Sequence, residues 1–105
     1  MKIFLDDLRD PVDWGHWNVI ARSYNDFGQA LDKCIRDDDK VIEIAFDHDL
    51  GEGKTGMDCV KLLIEMDIDH GILSSRFAFT IHSANPVGRK NMSDLLMNYM
   101  MMKEK

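Results

Sequence analysis

The chemistry this sequence can offer sits in three short polar clusters, Asp6-Asp7, Asp47-His48-Asp49 and His82-Ser83-Ala84-Asn85. Each follows directly on an apolar run: Lys2-Ile3-Phe4-Leu5, Val41 to Phe46, and Phe77 to Ile81. Carboxylates gathered at that density repel one another, and some stay protonated unless a cation is present. Oxygen ligands on an acidic rim suit Mg²⁺ or Mn²⁺, with Ca²⁺ behind them, better than zinc. Asp6, Asp7, Asp47 and Asp49 are therefore the candidate metal ligands, some of them through water. A metal there lowers the pKa of bound water and draws charge from phosphoryl oxygens. His48 and His82 are candidates to divide the proton transfers, because an unperturbed imidazole titrates near ~6.5. Arg9, Ser83 and Asn85 are candidates to hold a phosphate by hydrogen bonds.

Each of these residues also has a plainer reading. A single Asp after a strand is ordinarily a turn former or a helix cap. That account serves for any one of the acids and serves poorly for all four at one end of a sheet. His48 taken alone reads as a solvated loop histidine, and His82 reads equally as a buried structural one. Ser83 lacks a GxSxG context and is not read as a hydrolase nucleophile. The loop Gly51-Glu52-Gly53-Lys54-Thr55-Gly56 lacks the GxxxxGK[ST] spacing of a P-loop. Its glycines either let the backbone approach a ligand or only permit a turn. His16 and His70 sit in loops without partners, and Asp37-Asp38-Asp39 reads as solvated turn.

The elements that must position these clusters follow from hydrophobic periodicity. Lys2 to Leu5, Asn18 to Ala21, Val41 to Phe46 and Phe77 to Ile81 are predicted strands. Leu8 to Trp17, broken by Pro11 and Gly15, is predicted as a loop with at most one helical turn. Phe27, Ala30, Leu31, Cys34 and Ile35 have helical spacing, with Asn25 or Asp26 as the N-cap. Met57, Val60, Leu63 and Ile64 mark a second helix. Met92, Leu95, Leu96 and Tyr99 mark a third, opened by Pro86 and capped by Asn85. Strands alternating with helices imply right-handed crossovers and a mostly parallel sheet of about four strands. In such a sheet, ligands bind beyond the carboxyl ends of the strands, where all three clusters fall. If the first and third strands are neighbours, their ends lie roughly 5 Å apart.

Composition limits what such a site can serve. The 105 residues are 45% hydrophobic and 30% charged, the balance of one folded domain spanning 1–105. A net charge of -6 argues against gripping long duplex nucleic acid, which needs clustered Lys and Arg. A small phosphorylated ligand or an RNA terminus remains open to it if a cation neutralises the acids. Cys34 and Cys59 fall on apolar helix positions and form no CxxC pair, as expected of reduced, buried thiols. The sequence shows no signal peptide and no apolar run long enough for a membrane span, so the expectation is a cytoplasmic protein without membrane contact. Oligomeric state is left open.

With the clusters and elements in place, the chain resembles the receiver domain of two-component response regulators. In that family an acidic pair after the first strand holds Mg²⁺ and an Asp after the third accepts a phosphoryl group, which implies such roles for Asp6-Asp7 and Asp47. Ser83 lies near the family's fourth-strand Ser or Thr. The chain departs from the pattern by lacking the first helix and the fifth strand with its lysine. A closer resemblance is to cyclic-phosphate-processing receiver domains. It is carried by Leu5-Asp6-Asp7-Leu8-Arg9 with Pro11, Phe46-Asp47-His48-Asp49-Leu50-Gly51, Thr55-Gly56-Met57-Asp58, and His82-Ser83-Ala84-Asn85-Pro86 with Gly88 and Asn91. This implies an α/β, receiver-like (flavodoxin-like) fold and a metal-dependent phosphoesterase acting on an RNA cyclic phosphate end or a cyclic nucleotide. The competing expectations are a signalling receiver phosphorylated on Asp47 and a module that binds a cyclic nucleotide without cleaving it.

Overall fold

The computed structural model describes residues 1–51 and 53–103, so the Glu52 position of the glycine-spaced loop lies outside the described residues. Strands β1 (Lys2–Leu5), β2 (Val19–Ala21), β3 (Val41–Phe46) and β4 (Leu73–Ile81) alternate with helices α1 (Tyr24–Arg36), α2 (Gly56–His70) and α3 (Pro86–Lys103). The sheet has the order β2-β1-β3-β4, and every pair is parallel. This is the expected receiver-like α/β architecture, without a fifth strand among the described residues.

Register decides which side chains reach the core. Ile3 lies opposite Ile44, and Phe46 opposite Ile81, so these residues share one face. Ile3, Leu5, Ile44 and Phe46 are fully buried there against Phe27 and Leu31 of α1, Val60 and Leu63 of α2, and Met92 and Leu96 of α3. The alternate residues Phe4, Ala45 and Thr80, aligned across β1, β3 and β4, belong to the other face. No helix covers that face among the described residues.

Handedness explains the asymmetry. The connections β2-α1-β3 and β3-α2-β4 both run toward β4, and right-handed crossovers put their helices on one side. The β1-to-β2 connection runs the opposite way and must cross the opposite face. It does so as a loop whose one regular piece is a 3-10 turn, Trp14–His16. Trp17 packs edge-on against Phe4 at 5.5 Å, and His16 Nε2 meets Glu43 Oε1 at 2.7 Å. The chain therefore reverses direction between β1 and β3, the switch point at which an open sheet leaves a crevice.

Helix ends differ from expectation in one place. The α1 N-cap is Ser23, whose Oγ accepts from Asp26 N at 3.1 Å, while Asp26 Oδ2 accepts from Arg22 N at 2.9 Å. Asp26 therefore serves inside the first turn rather than before it, its carboxylate reaching back past the N-cap to Arg22. Asp37 to Asp39 lie exposed beyond the helix, as expected, with Asp37 paired to Lys33 at 2.6 Å. Strand β4 starts at Leu73 instead of Phe77 because the polar stretch Ser74-Ser75-Arg76 forms an irregularity opposite Ile42, which hid the strand in the pattern. Asn85 caps α3 as expected, its Oδ1 accepting from Gly88 N at 3.0 Å.

Candidate functional site

β1 ends when Asp6 N donates to Ala21 O at 3.0 Å, and its side chain then turns back to hold the next residues. Asp6 Oδ1 accepts from Leu8 N at 2.9 Å and Arg9 N at 2.8 Å, an Asx-type turn that leaves Asp6 only 1% exposed. Arg22, just past β2, clamps the same loop, donating to Asp6 O at 3.3 Å and Arg9 O at 2.6 Å and pairing with Asp10. Sequence reasoning gave Arg22 no role, since its partners lie on a loop across the strand pair.

Across the switch point, Asp47 leaves β3 half-buried, and the next turn brings α2 hard against it. A Cβ on Gly56 would stand 1.9 Å from the Asp47 carbonyl oxygen, and Gly56 N donates to His48 O at 2.7 Å. Gly56 serves a close approach to the chain's own backbone rather than to a ligand, while Gly51 and Gly53, at φ 80° and 93°, permit the turn. His82 N extends the β3-β4 ladder to Phe46 O at 2.9 Å. Its ring lies over Phe4, centroids 4.9 Å apart and 7° from parallel, above the small Ala45 between their strands. His82 Nε2 then reaches Asp6 Oδ2 at 3.1 Å.

Asp6, Asp47 and His82 thus converge, with one ligand atom from each lying within 4.8 Å of the other two. Their electrostatics differ. Burial works to raise the Asp6 pKa, but the backbone N–H groups of Arg9 and Leu8, together with His82, outweigh it and hold it below 3.8. Asp47 is pushed up, first by burial and then by the charge of Asp6. The pair is an ionised carboxylate beside one whose charge is unwelcome.

Beside it opens a cavity of about 300 Å³ whose wall includes Asp6, Asp7, Arg9, Asp47, Asp49, Gly51 and Ala84. Five expected residues meet there. His82 meets that wall through Asp6, and the other three stand elsewhere. His48 points to α3, where a Cβ on Gly88 would lie 2.5 Å from its ring, and its Nδ1 meets Asp49 Oδ1 at 2.9 Å. Ser83 is 4% exposed, with its Oγ accepting from Asn85 N at 3.1 Å, and Asn85 is taken up as the α3 cap. These three shape the turn and helix end behind the cavity and do not line it. Phe4 and Gly88 were missed as positioning residues. Strand alternation in β1 and the Asn-Pro-x-Gly run were the signals that could have found them.

A parallel sheet with an acidic crevice at its switch point defines a receiver-like class of protein. Residues 1–98 match the family model of the cyclic-phosphate processing receiver domain. The chain belongs to that family. Neither comparison with curated proteins nor comparison with solved structures gives a match. No helix among the described residues is long and apolar enough to cross a membrane.

Proposed function

We propose that the crevice binds a divalent cation and opens a cyclic phosphate, either on an RNA end or on a cyclic nucleotide. The convergence of Asp6, Asp47 and His82 beside a cavity walled by Arg9 carries this reading. The donor set fits a cation. Asp47 is a carboxylate whose ionisation burial and Asp6 oppose, and a positive ion reverses both penalties. Two carboxylates with an imidazole at hand suit Mn²⁺ or Mg²⁺ ahead of Ca²⁺, which takes six to eight oxygens. Asp6 and Asp47 would hold the ion, with Asp7 and Asp49 on the cavity wall able to act through water. When bound, the ion would acidify a water and neutralise phosphoryl charge.

The remaining work falls to the chain. Asp6 holds the His82 ring at Nε2, and with the proton on that nitrogen Nδ1 would be the atom that moves a proton. Arg9 would pair with phosphoryl oxygens across the crevice. His48, held between Asp49 and Gly88, would keep the acidic wall in register with α3. The test offers 2′,3′-cyclic mononucleotides, 3′,5′-cyclic nucleotides and a cyclic-phosphate RNA end, with Mn²⁺ or Mg²⁺ and with EDTA and Asp47→Ala controls. Opening of one class that EDTA and the mutation both abolish is the expected result; no product from any class rejects the enzyme.

One observation favours a second reading. Asp47 follows β3 in the place where a receiver accepts a phosphoryl group. A small-molecule phosphodonor that leaves an acyl phosphate on Asp47, absent in Asp47→Asn, would make the chain a signalling receiver. Ligand-induced stabilisation without product would instead indicate a binding module.

A further inference from the structure

On the helix-free face of the sheet lies a second cavity, of about 420 Å³, formed by Phe4, Arg9, Trp17, Ala45, Thr80 and His82 among others. It adjoins the acidic crevice. Arg9 walls both cavities, and the Asp6–His82 contact of 3.1 Å ties the wall of one to the wall of the other. We infer that this groove is the subsite for a nucleobase carried by the same ligand whose phosphate enters the crevice, an inference that rests on the cyclic-phosphate reading above.

Three observations carry it. The lining offers aromatic surface, with Trp17 edge-on to Phe4 and His82 stacked on it, over a floor kept low by Ala45. A planar heterocycle gains from such surface whatever its sequence identity. The volume suits a small ring system, since ligand pockets begin at about 300 Å³. Finally, a nucleotide is amphipathic in the sense these two cavities are: one end is anionic and metal-seeking, the other planar and apolar. The crevice and groove meet at Arg9, whose guanidinium can both pair with phosphate and stack on a ring.

The subsite is tested on protein carrying Trp14→Phe, an exposed position, so that Trp17 alone reports. With Mn²⁺ present, 2′,3′-cyclic AMP and the base-free methyl riboside 2,3-cyclic phosphate are titrated by rapid mixing, before turnover. Binding is read both by Trp17 emission and by displacement of bound inorganic phosphate. The expected result is a change in Trp17 emission with the nucleotide alone and affinity at least about 10-fold tighter than for the base-free ligand. Trp17→Leu, which keeps apolar cover over Phe4, should erase that preference and leave base-free binding unchanged. Thr80→Leu, at an exposed sheet position, should do the same by filling the groove. Equal affinity of the two ligands with silent Trp17 overturns the subsite while the cyclic-phosphate reading stands. Binding of neither ligand overturns both.

Discussion

Asp67 and Asp47 are both carboxylates drawn out of water by the fold, at opposite ends of the sheet, and their surroundings differ in kind. Asp67 of α2 is 5% exposed and fully provided for by the chain. Its Oδ1 accepts from Leu73 N at 2.8 Å, and its Oδ2 accepts from Tyr99 Oη and Lys103 Nζ, each at 2.6 Å. Burial would raise its pKa, but those donors outweigh it and hold it below 3.8. Asp47 has a second carboxylate, Asp6, as its neighbour, and its pKa is pushed up. One end of the molecule spends a buried charge on joining α2, α3 and β4. The other sets a carboxylate beside a like charge, which His82 and the backbone N–H groups of His48 and Asp49 offset only in part, the pattern expected where function displaces stability.

The sharpest way to break this comparison is to neutralise each carboxylate in turn. Asp47→Asn should lower metal-dependent turnover by at least ~100-fold, while metal-free protein melts no lower than the native chain for losing an unwelcome charge. Asp67→Asn should do the reverse, keeping turnover per folded molecule and losing stability. Steady-state rates beside thermal melts decide it. Melting that drops in both variants would show that Asp47 is as structural as Asp67.

A cation should separate the two ends as well. Mn²⁺ at about 100 times its dissociation constant stabilises a protein by about 2.7 kcal/mol. That gain is expected for the native chain and for Asp67→Asn, and not for Asp47→Asn. Calorimetric scans with and without Mn²⁺ measure it, and an equal shift in all three would place the ion somewhere other than the crevice.

How much of this contrast the sequence disclosed depends on chain distance. Asp6 and Asp47 were legible because each ends an apolar run, and parallel topology brings strand ends together without knowledge of a single contact. The sheet itself was legible for the same reason, through the short apolar runs that hold the buried Ile3, Leu5, Ile44 and Phe46. The Asp67 cluster was not. Tyr99 reads as one more member of an apolar stripe, and its partner lies 32 residues away on another helix. His48 was equally opaque in direction: its place in the chain follows from β3, but its ring is sent to α3 by the space over Gly88, 40 residues on. Local pattern reports which face a residue occupies and says nothing of the particular atom it will meet.

Removing the Asp67 side chain altogether gives the next effect in size. Asp67→Ala strands the Leu73 N–H and the Tyr99 hydroxyl, while Lys103 can turn to water. The expected cost is about 2–3 kcal/mol, read as a lower denaturant midpoint at unchanged slope. The pH dependence has a definite sign. A carboxylate held below its ordinary value contributes stability that is present above about 3.8 and is lost as pH falls through the folded value. The gap between native chain and Asp67→Asn should therefore be constant from pH 7 to 5 and close in acid below 3.8. A gap that widens in acid would reverse the assigned shift.

Tyr99→Phe should have the smallest effect and is the most discriminating for the amino end of the sheet. Burial, followed by the Asp67 carboxylate, pushes the Tyr99 phenol up to about 12, so it remains a neutral donor at any working pH. Deleting the hydroxyl keeps the ring in place and leaves Asp67 with Leu73 N and Lys103 Nζ, two donors out of three. The cost should be near the ordinary net value of one hydrogen bond, about 1 kcal/mol, with turnover unchanged. Urea melts of Tyr99→Phe, Asp67→Asn and the double variant measure how the pair couples. A coupling energy close to the full single-mutant cost fits a carboxylate whose partners were built for it. No coupling would mean that the phenol finds water as good an acceptor, and that Asp67 is held by Lys103 and the backbone alone.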